Sequence, residues 1–377
     1  MKQVRGQAAT GVPRPGGRSA LMVGRSVLTQ EFAVAGPFGD GPVAVTGFVH
    51  PERGPVDCPA APLLAAWLWR VGGASAPVRT GPLRERLAAG PPGRGAAVLT
   101  AMTYHGPEGG CAGLAVAAPP AWRSRAAQAV RVWSAAVRTR RVLVPAAAPC
   151  AESTGPGLPC ACAERAGAAA RRFAAEGDEV FVVGGSGSGA REAWGDRGWT
   201  WVADARQARR VEPVDAQAVA FVLRPGTSVR SAAETVAVLR GRFPSLRGQH
   251  PDQWCYRADD REEAVSRAVS LSDVALLLGA EVLPRPSAVR CHRLGSLVDL
   301  LPGHVRAAST VALVDGTPEG QGGRDLLRAL HGLGPVSVLR LRAASERAGS
   351  AATVPEGRRG DGSGSGPVPA AMDTGTM

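Results

Sequence analysis

Short apolar runs alternate with amphipathic stretches from about residue 42 to about residue 342. The runs beginning at Val43, Ala96, Arg141, Glu179, Ala218, Val274 and Thr310 are four to seven residues long and rich in Val, Leu and Ala, which predicts buried strands. Between them, stretches beginning at Pro62, Pro120, Glu164, Ala232, Arg261, Ser296 and Arg324 place apolar residues at helical spacing. Strands alternating with helices imply parallel sheets covered by helices, an α/β fold class. The pattern repeats in three cycles, which predicts three similar α/β lobes over residues 42–150, 151–250 and 251–347. Residues 1–41 are rich in Gly, Pro and Arg, and 348–377 in Gly, Ser and Pro, so both ends are expected to be disordered.

Composition narrows the partners. The net charge of +12 would suit a polyanion, yet all but one of the 44 Lys and Arg are arginine and they are scattered along the chain without aromatic interleaving. No basic stripe forms, so no nucleic-acid partner is expected. The stretch from Ser19 to Gly36 is broken by Arg25, Gln30 and Glu31, which argues against a secretory leader. No run reaches the ~18 apolar residues of a membrane span, so no membrane partner is expected. Seven cysteines at uneven spacing do not resemble a secreted disulfide framework, and a reducing cytoplasmic location is expected.

Each cycle is led by a cysteine: Cys58, Cys160 and Cys255. Their separations of about a hundred residues are too long for a zinc knuckle, whose ligands come in close pairs. Three thiolates from three lobes suit one shared iron–sulfur cluster, and a cluster with three protein sulfurs leaves one iron open to substrate. The competing reading is that these are ordinary small buried residues in an alanine-rich chain. Cys111, Cys150, Cys162 and Cys291 have no partner at a recognisable spacing. The glycine turn Gly184 to Gly189 follows a strand but lacks both the dinucleotide spacing and the Lys-Ser/Thr of a P-loop. Arg285, Arg290 and Arg293 form a local trio able to pair phosphate.

Three blocks carry a family resemblance. The segment Arg242-Phe243-Pro244-Ser245-Leu246, followed by Asp252-Gln253-Trp254-Cys255-Tyr256 and on to Val265, is the clearest. Pro159-Cys160, the run Ala170 to Gly177 and the strand from Glu179 to Gly184 form the second, and Arg53-Gly54 with Cys58 the third. Over about Pro42 to Arg342 the chain resembles 4-hydroxy-3-methylbut-2-enyl diphosphate reductase, as a divergent member or paralogue. The resemblance implies a trefoil of three α/β lobes around a central [4Fe–4S] cluster held by Cys58, Cys160 and Cys255. It implies an iron–sulfur oxidoreductase of isoprenoid biosynthesis, by the methylerythritol phosphate route. Such an enzyme removes the allylic hydroxyl of a small phosphorylated isoprenoid substrate with electrons from a ferredoxin or flavodoxin.

The same resemblance implies substrate contacts at His105, Thr227, Ser228 and Thr317. Arg84 stands where the family has a histidine, and Arg290 falls in a block where the family has Ser and Asn; both are expected to contact phosphate instead. Ala190 stands where the family has its catalytic glutamate, and Glu192 is the nearest remaining carboxylate for proton delivery. Two further readings stay open: a non-catalytic cluster-bearing paralogue that senses a prenyl diphosphate or redox state, and a structural relic without a cluster.

Overall fold

The computed structural model describes residues 28–34, 41–84, 87, 96–105, 110–146, 161–185, 198–279, 287–317 and 320–343, and these build three sheets with helices packed on them. The first sheet holds β1 (Leu28–Val34), β2 (Val43–Val45), β3 (Gly47–His50), β4 (Gly54–Asp57), β5 (Arg79–Gly81), β6 (Ala97–His105) and β7 (Cys111–Ala118). It is mixed, not parallel as the alternating pattern predicts. The short connection after His105 allows only a hairpin, so β6 and β7 pair antiparallel, with His105 opposite Cys111. β1 pairs antiparallel with β6 and buries Phe32 and Val34. The expectation of a disordered tail to residue 41 is therefore corrected for 28–34; residues 344–377 lie outside the described residues.

β8 (Arg140–Pro145) leaves the first lobe. It is inserted into the third sheet between β15 (Thr310–Asp315) and β16 (Val336–Leu341), with β13 (Val274–Leu278) and β14 (Arg290–Leu294) beyond β15, in the parallel order β14-β13-β15-β8-β16. Its successive residues Val142 and Leu143 are both buried, in different apolar clusters on opposite faces. A strand covered on both faces belongs in the middle of a parallel sheet, so the boundary expected at residue 150 falls before residue 140. The second sheet, in the order β10-β9-β11-β12, is parallel throughout: β9 (Glu179–Val183), β10 (Thr200–Val202), β11 (Val219–Leu223) and β12 (Arg247–Gly248).

The helices are α1 (Ala61–Arg70), α2 (Arg123–Ser134), α3 (Ala161–Ala175), α4 (Ala205–Ala208), α5 (Val229–Arg242), α6 (Arg257–Ser270), α7 (Pro302–Val305) and α8 (Gln321–His331). α1 starts with a proline in its first turn, where the missing N–H costs nothing. It buries Leu63, Leu64 and Leu68 completely, each contributing about 1.5–3 kcal/mol. These leucines share one continuous core with Met102, Trp133, Val142, Leu276, Leu313 and Leu330, so the first and third lobes are packed as a single body. The second lobe has its own cores, around Phe221 and Val236 on one face of its sheet and Phe173 and Val222 on the other.

A buried cation ties the first and third lobes. Arg140 is 1% exposed, and its guanidinium donates to the main-chain carbonyls of Leu333 at 2.7 Å, Val305 at 3.2 Å, Arg138 at 3.3 Å and Ala136. Ala136, Val305 and Leu333 end or closely follow α2, α7 and α8, so three helix C-termini direct their partial negative charge at one group. Burial still outweighs this attraction and lowers the guanidinium to about 10, leaving it protonated at neutral pH. Beside it the Tyr104 hydroxyl donates to His331 O at 2.9 Å and accepts from Gly334 N at 3.0 Å. Gly334 has φ +118°, and a Cβ there would run into the Arg138 carbonyl, so only glycine closes this turn.

Three histidines make the fold sensitive to acid. His50 Nδ1 accepts from the N–H groups of Glu52 and Arg53 while Nε2 meets Gln30 Oε1 at 2.6 Å, an arrangement that needs the neutral ring. The rings of His292 and His304 stack with centroids 3.9 Å apart. Burial, the largest cause in each case, holds all three below the ordinary 6.5; Arg53, Arg290 and His292 respectively push the same way. The unfolded chain therefore binds protons below pH 6.5 that the folded chain refuses, and stability falls as pH drops through that value. The thermal midpoint is expected to decline between pH 6.5 and the lowered folded values, and His304→Phe to flatten that decline. An unchanged slope in the variant contradicts this assignment.

Candidate metal and substrate site

Cys58 follows β4 and stands just ahead of α1. Its N–H donates to Thr46 O at 2.9 Å and its carbonyl accepts from Ala61 N at 3.1 Å, which fixes the backbone at the helix start. The side chain is fully buried among Phe32, Phe48, Val56 and Leu99. Burial pushes the thiol far above its usual range, and the negative charge of Asp57 and the neighbouring Cys111 push the same way. Cys58 is thus a protonated thiol until a metal displaces the proton.

Cys255 stands just ahead of α6, after a turn held by Trp254 Nε1 donating to Gln249 O at 3.1 Å and Gln249 Nε2 donating to Gln253 O at 3.1 Å. It is 5% exposed and packs against Cys162 and Ala163 in the first turn of α3. Arg165 Nη2 approaches Cys162 Sγ at 3.4 Å. Cys160 lies outside the described residues, and in sequence it immediately precedes α3. Cys58 and Cys255 therefore both lie next to the start of a helix, the end whose partial positive charge favours thiolate.

As donors the buried thiols fit iron, a metal that soft thiolates select. Cys58 and Cys255 belong to separate apolar clusters, and among the described residues no three His, Cys, Asp or Glu side chains gather to hold a metal ion.

Thr227 lies at the carboxyl end of β11, where open parallel sheets place their ligands. Its hydroxyl packs over Gly184 (φ +133°), which leaves no room for a side chain there. Ser228 is occupied structurally. Its hydroxyl accepts from Ser231 N as the cap of α5 and donates to Asp259 Oδ1 at 2.8 Å, while Asp259 Oδ2 takes Val229 N at 2.7 Å. Thr317 is also engaged, donating from Oγ1 to Asp315 Oδ1 at 2.6 Å. Ser228→Ala is expected to cost about 1–2 kcal/mol in urea denaturation, as loss of an N-cap does. An unaltered midpoint would return Ser228 to the list of ligand contacts.

The arginines in or near the expected site lie apart. Arg84 and Arg290 are exposed, and Arg290 opens β14 in register with Val274 and Val311, about 13 Å along the strand from the end that leads to Thr317. Arg224 turns its guanidinium onto the Gly185 carbonyl. His105 is exposed at the end of β6 opposite Cys111. Glu192 and Ala190 lie outside the described residues. Asp259 and Asp315, which hold the hydroxyls of Ser228 and Thr317, and Cys162, which packs against Cys255, were not legible as neighbours of these residues. A strand-end Asp followed by Gly316 and the glycines at 320, 322 and 323 was the available signal for Asp315.

Buried cysteines at helix starts in a three-lobed α/β chain define a class of candidate metalloproteins, and similarity to known proteins narrows it. Residues 157–282 match the model of the LytB protein family. It is 36% identical over 81 residues to the 4-hydroxy-3-methylbut-2-enyl diphosphate reductase of Gluconobacter oxydans, covering 22% of this chain and 24% of that protein. To the enzyme of that name from Acidothermus cellulolyticus it is 33% identical over 116 residues, 29% and 34% of the two chains. To that of Pseudomonas syringae pv. syringae it is 26% identical over 159 residues, 40% and 47%. The matches thus span less than half the length of these relatives. A solved structure, the E-1-hydroxy-2-methyl-but-2-enyl-4-diphosphate reductase from Plasmodium falciparum, aligns with TM-score 0.38 and 15% identity over 53% of this chain and 71% of that one.

Proposed function

We propose that the chain is a divergent iron–sulfur reductase that removes an allylic hydroxyl from a small isoprenoid substrate of the 4-hydroxy-3-methylbut-2-enyl type. The observation that supports this reading is that Cys58 and Cys255 are both buried and both just ahead of a helix. Cys58, Cys160 and Cys255 would hold a [4Fe–4S] cluster, which would supply the electrons for removal of the hydroxyl. Electrons come from a ferredoxin or flavodoxin. Thr227 and His105 orient the substrate, and Glu192 delivers the proton that lets the hydroxyl leave as water. The apolar packing around Cys58 keeps water from the thiol side of the site.

The test is anaerobic turnover of 4-hydroxy-3-methylbut-2-enyl diphosphate with a chemically reduced donor. A positioned general acid contributes about 100- to 10,000-fold, so with alanine at 190 the rate is expected to be feeble and Ala190→Glu to raise it. Rapid turnover by the unaltered chain that Glu192→Gln leaves untouched contradicts the assignment of the proton donor. A second reading, a cluster-bearing protein without turnover, is favoured by one observation: Ser228 and Thr317 spend their hydroxyls on the chain's own carboxylates. Iron-loaded protein with no turnover in either form selects that reading.

A further inference from the structure

Two cysteines meet where α3 approaches the start of α6. Cys162, in the first turn of α3, packs against Cys255, which stands just ahead of α6, and both carry thiols. The proposed function uses only Cys255. Side chains in packing contact approach within about 4.5 Å. Beyond Cα a cysteine has two heavy atoms, so a turn about χ1 with a small shift of the chain brings two such sulfurs to the ~2.05 Å of a disulfide. The backbone at Cys255 leaves room for that shift, because it follows a turn held by the side chains of Trp254 and Gln249, not a strand pair. The two thiols differ in access. Cys255 is 5% exposed, whereas Cys162 is half-buried and the exposed Arg165 places Nη2 3.4 Å from its sulfur. An oxidant thus reaches Cys162 first, and one that carries carboxylates meets its counter-charge there.

We propose that Cys162 and Cys255 form a disulfide when the iron-free chain meets a small anionic disulfide, so that this pair governs whether Cys255 is available to a metal. The sulfur of Cys162 attacks the oxidant RSSR, giving a mixed disulfide on Cys162 and releasing one RSH. The sulfur of Cys255 then attacks Cys162 and displaces the second RSH. The net change breaks two protein S–H bonds and the oxidant's S–S bond, and forms one protein S–S bond and two RSH. Two electrons pass from the protein to the oxidant. Cys255 held in a disulfide has no thiolate to offer iron. Metal loading then depends on prior reduction, a regulation that rests on the iron–sulfur reading, whereas the disulfide itself does not.

Treating the full iron-free chain with oxidised glutathione, digesting it without reductant and weighing the peptides tests the pair. The expected product is one peptide pair joined through Cys162 and Cys255 and separated by dithiothreitol. C255A is expected to trap glutathione on Cys162, and C162A, altered at a half-buried position, to leave Cys255 unlinked. Cys255 joined to Cys160 or to any other cysteine overturns the proposal, as does unaltered chain in which Cys162 keeps its glutathione or both residues stay thiols. Anaerobic ferrous iron uptake by the same samples, without added thiol, separates the two readings. Oxidised unaltered chain is expected to lose most of the uptake of the reduced chain, and C162A to keep it after the same treatment. A mapped disulfide with no uptake by the reduced chain sinks the iron–sulfur reading and leaves the disulfide standing. Equal uptake with and without the mapped disulfide overturns the control of loading.

Discussion

Arg140→Met is expected to destabilise the chain by about 3–6 kcal/mol, because the charge-assisted bonds to the buried carbonyls of Leu333 and Ala136, worth about 1.5–3 kcal/mol each, are lost. The side chain is 1% exposed, so water cannot take over the vacated bonds without opening the core. The hydrogen bonds of the guanidinium go to main-chain carbonyls at the ends of α2, α7 and α8, and no isosteric apolar residue satisfies those groups. Total stabilities of about 5–15 kcal/mol make such a loss large enough to leave much of the chain unfolded at 37 °C. Arg140→Lys retains the charge but presents three donors from one point, and about half the loss is expected. Urea denaturation followed by tryptophan fluorescence reads this directly, since Trp133 is fully buried in the core shared by the two lobes. A midpoint within experimental error of the unaltered chain for Arg140→Met contradicts the role given to this residue.

The second large effect is on the metal. Cys58→Ser and Cys255→Ser are each expected to abolish the visible absorbance of anaerobically prepared protein, whereas Cys291→Ser leaves it intact. Serine is a harder and poorer ligand for iron than thiolate, and loss of one of three protein sulfurs leaves too few to retain a cluster. Cys58 gives the sharper result, because its thiol is fully buried and held protonated by burial and by Asp57. Asp57→Asn removes that opposing charge and is expected to ease cluster loading without changing the ligands. Cys111→Ser is the close control: Cys111 packs beside the cluster of apolar residues around Cys58, yet lies on β7 outside the helix starts. Bleaching by Cys111→Ser equal to that by Cys58→Ser contradicts the ligand set.

Much of the fold was legible because its strongest elements follow simple periods. β9, β11, β13 and β15 are short runs buried on both faces, and α3, α6 and α8 repeat apolar residues at helical spacing. β7 escaped detection because half of Cys111–Ala118 is alanine, a residue depleted in strands; its place in the sheet comes from pairing with β6. β16 is largely exposed and so lacks the apolar alternation of a half-buried strand. The sheet to which β8 belongs is set by partners far away in sequence, which no local pattern encodes.

The site divides in the same way. Cysteines ahead of amphipathic helices stand out in a sequence, so the position of Cys58 and Cys255 before α1 and α6 was legible there. Asp259 was not, because an acidic residue in the first turn of a helix reads as an ordinary dipole partner, and its actual partner Ser228 is 31 residues away. The arginines carry little signal for a different reason: arginine is common throughout the chain, and strand register alone reveals that Arg290 opens β14 at the end far from Thr317.

The central claim is that this chain carries a [4Fe–4S] cluster on three cysteines from three lobes. Protein purified without oxygen and analysed for iron and sulfide, with Mössbauer spectra recorded on the same sample, tests it most directly. The account predicts about four iron atoms per chain, with one iron distinguishable from the other three because it lacks a cysteine ligand. Colourless protein with less than about one iron per chain after anaerobic reconstitution, or four equivalent cysteine-ligated irons, contradicts it.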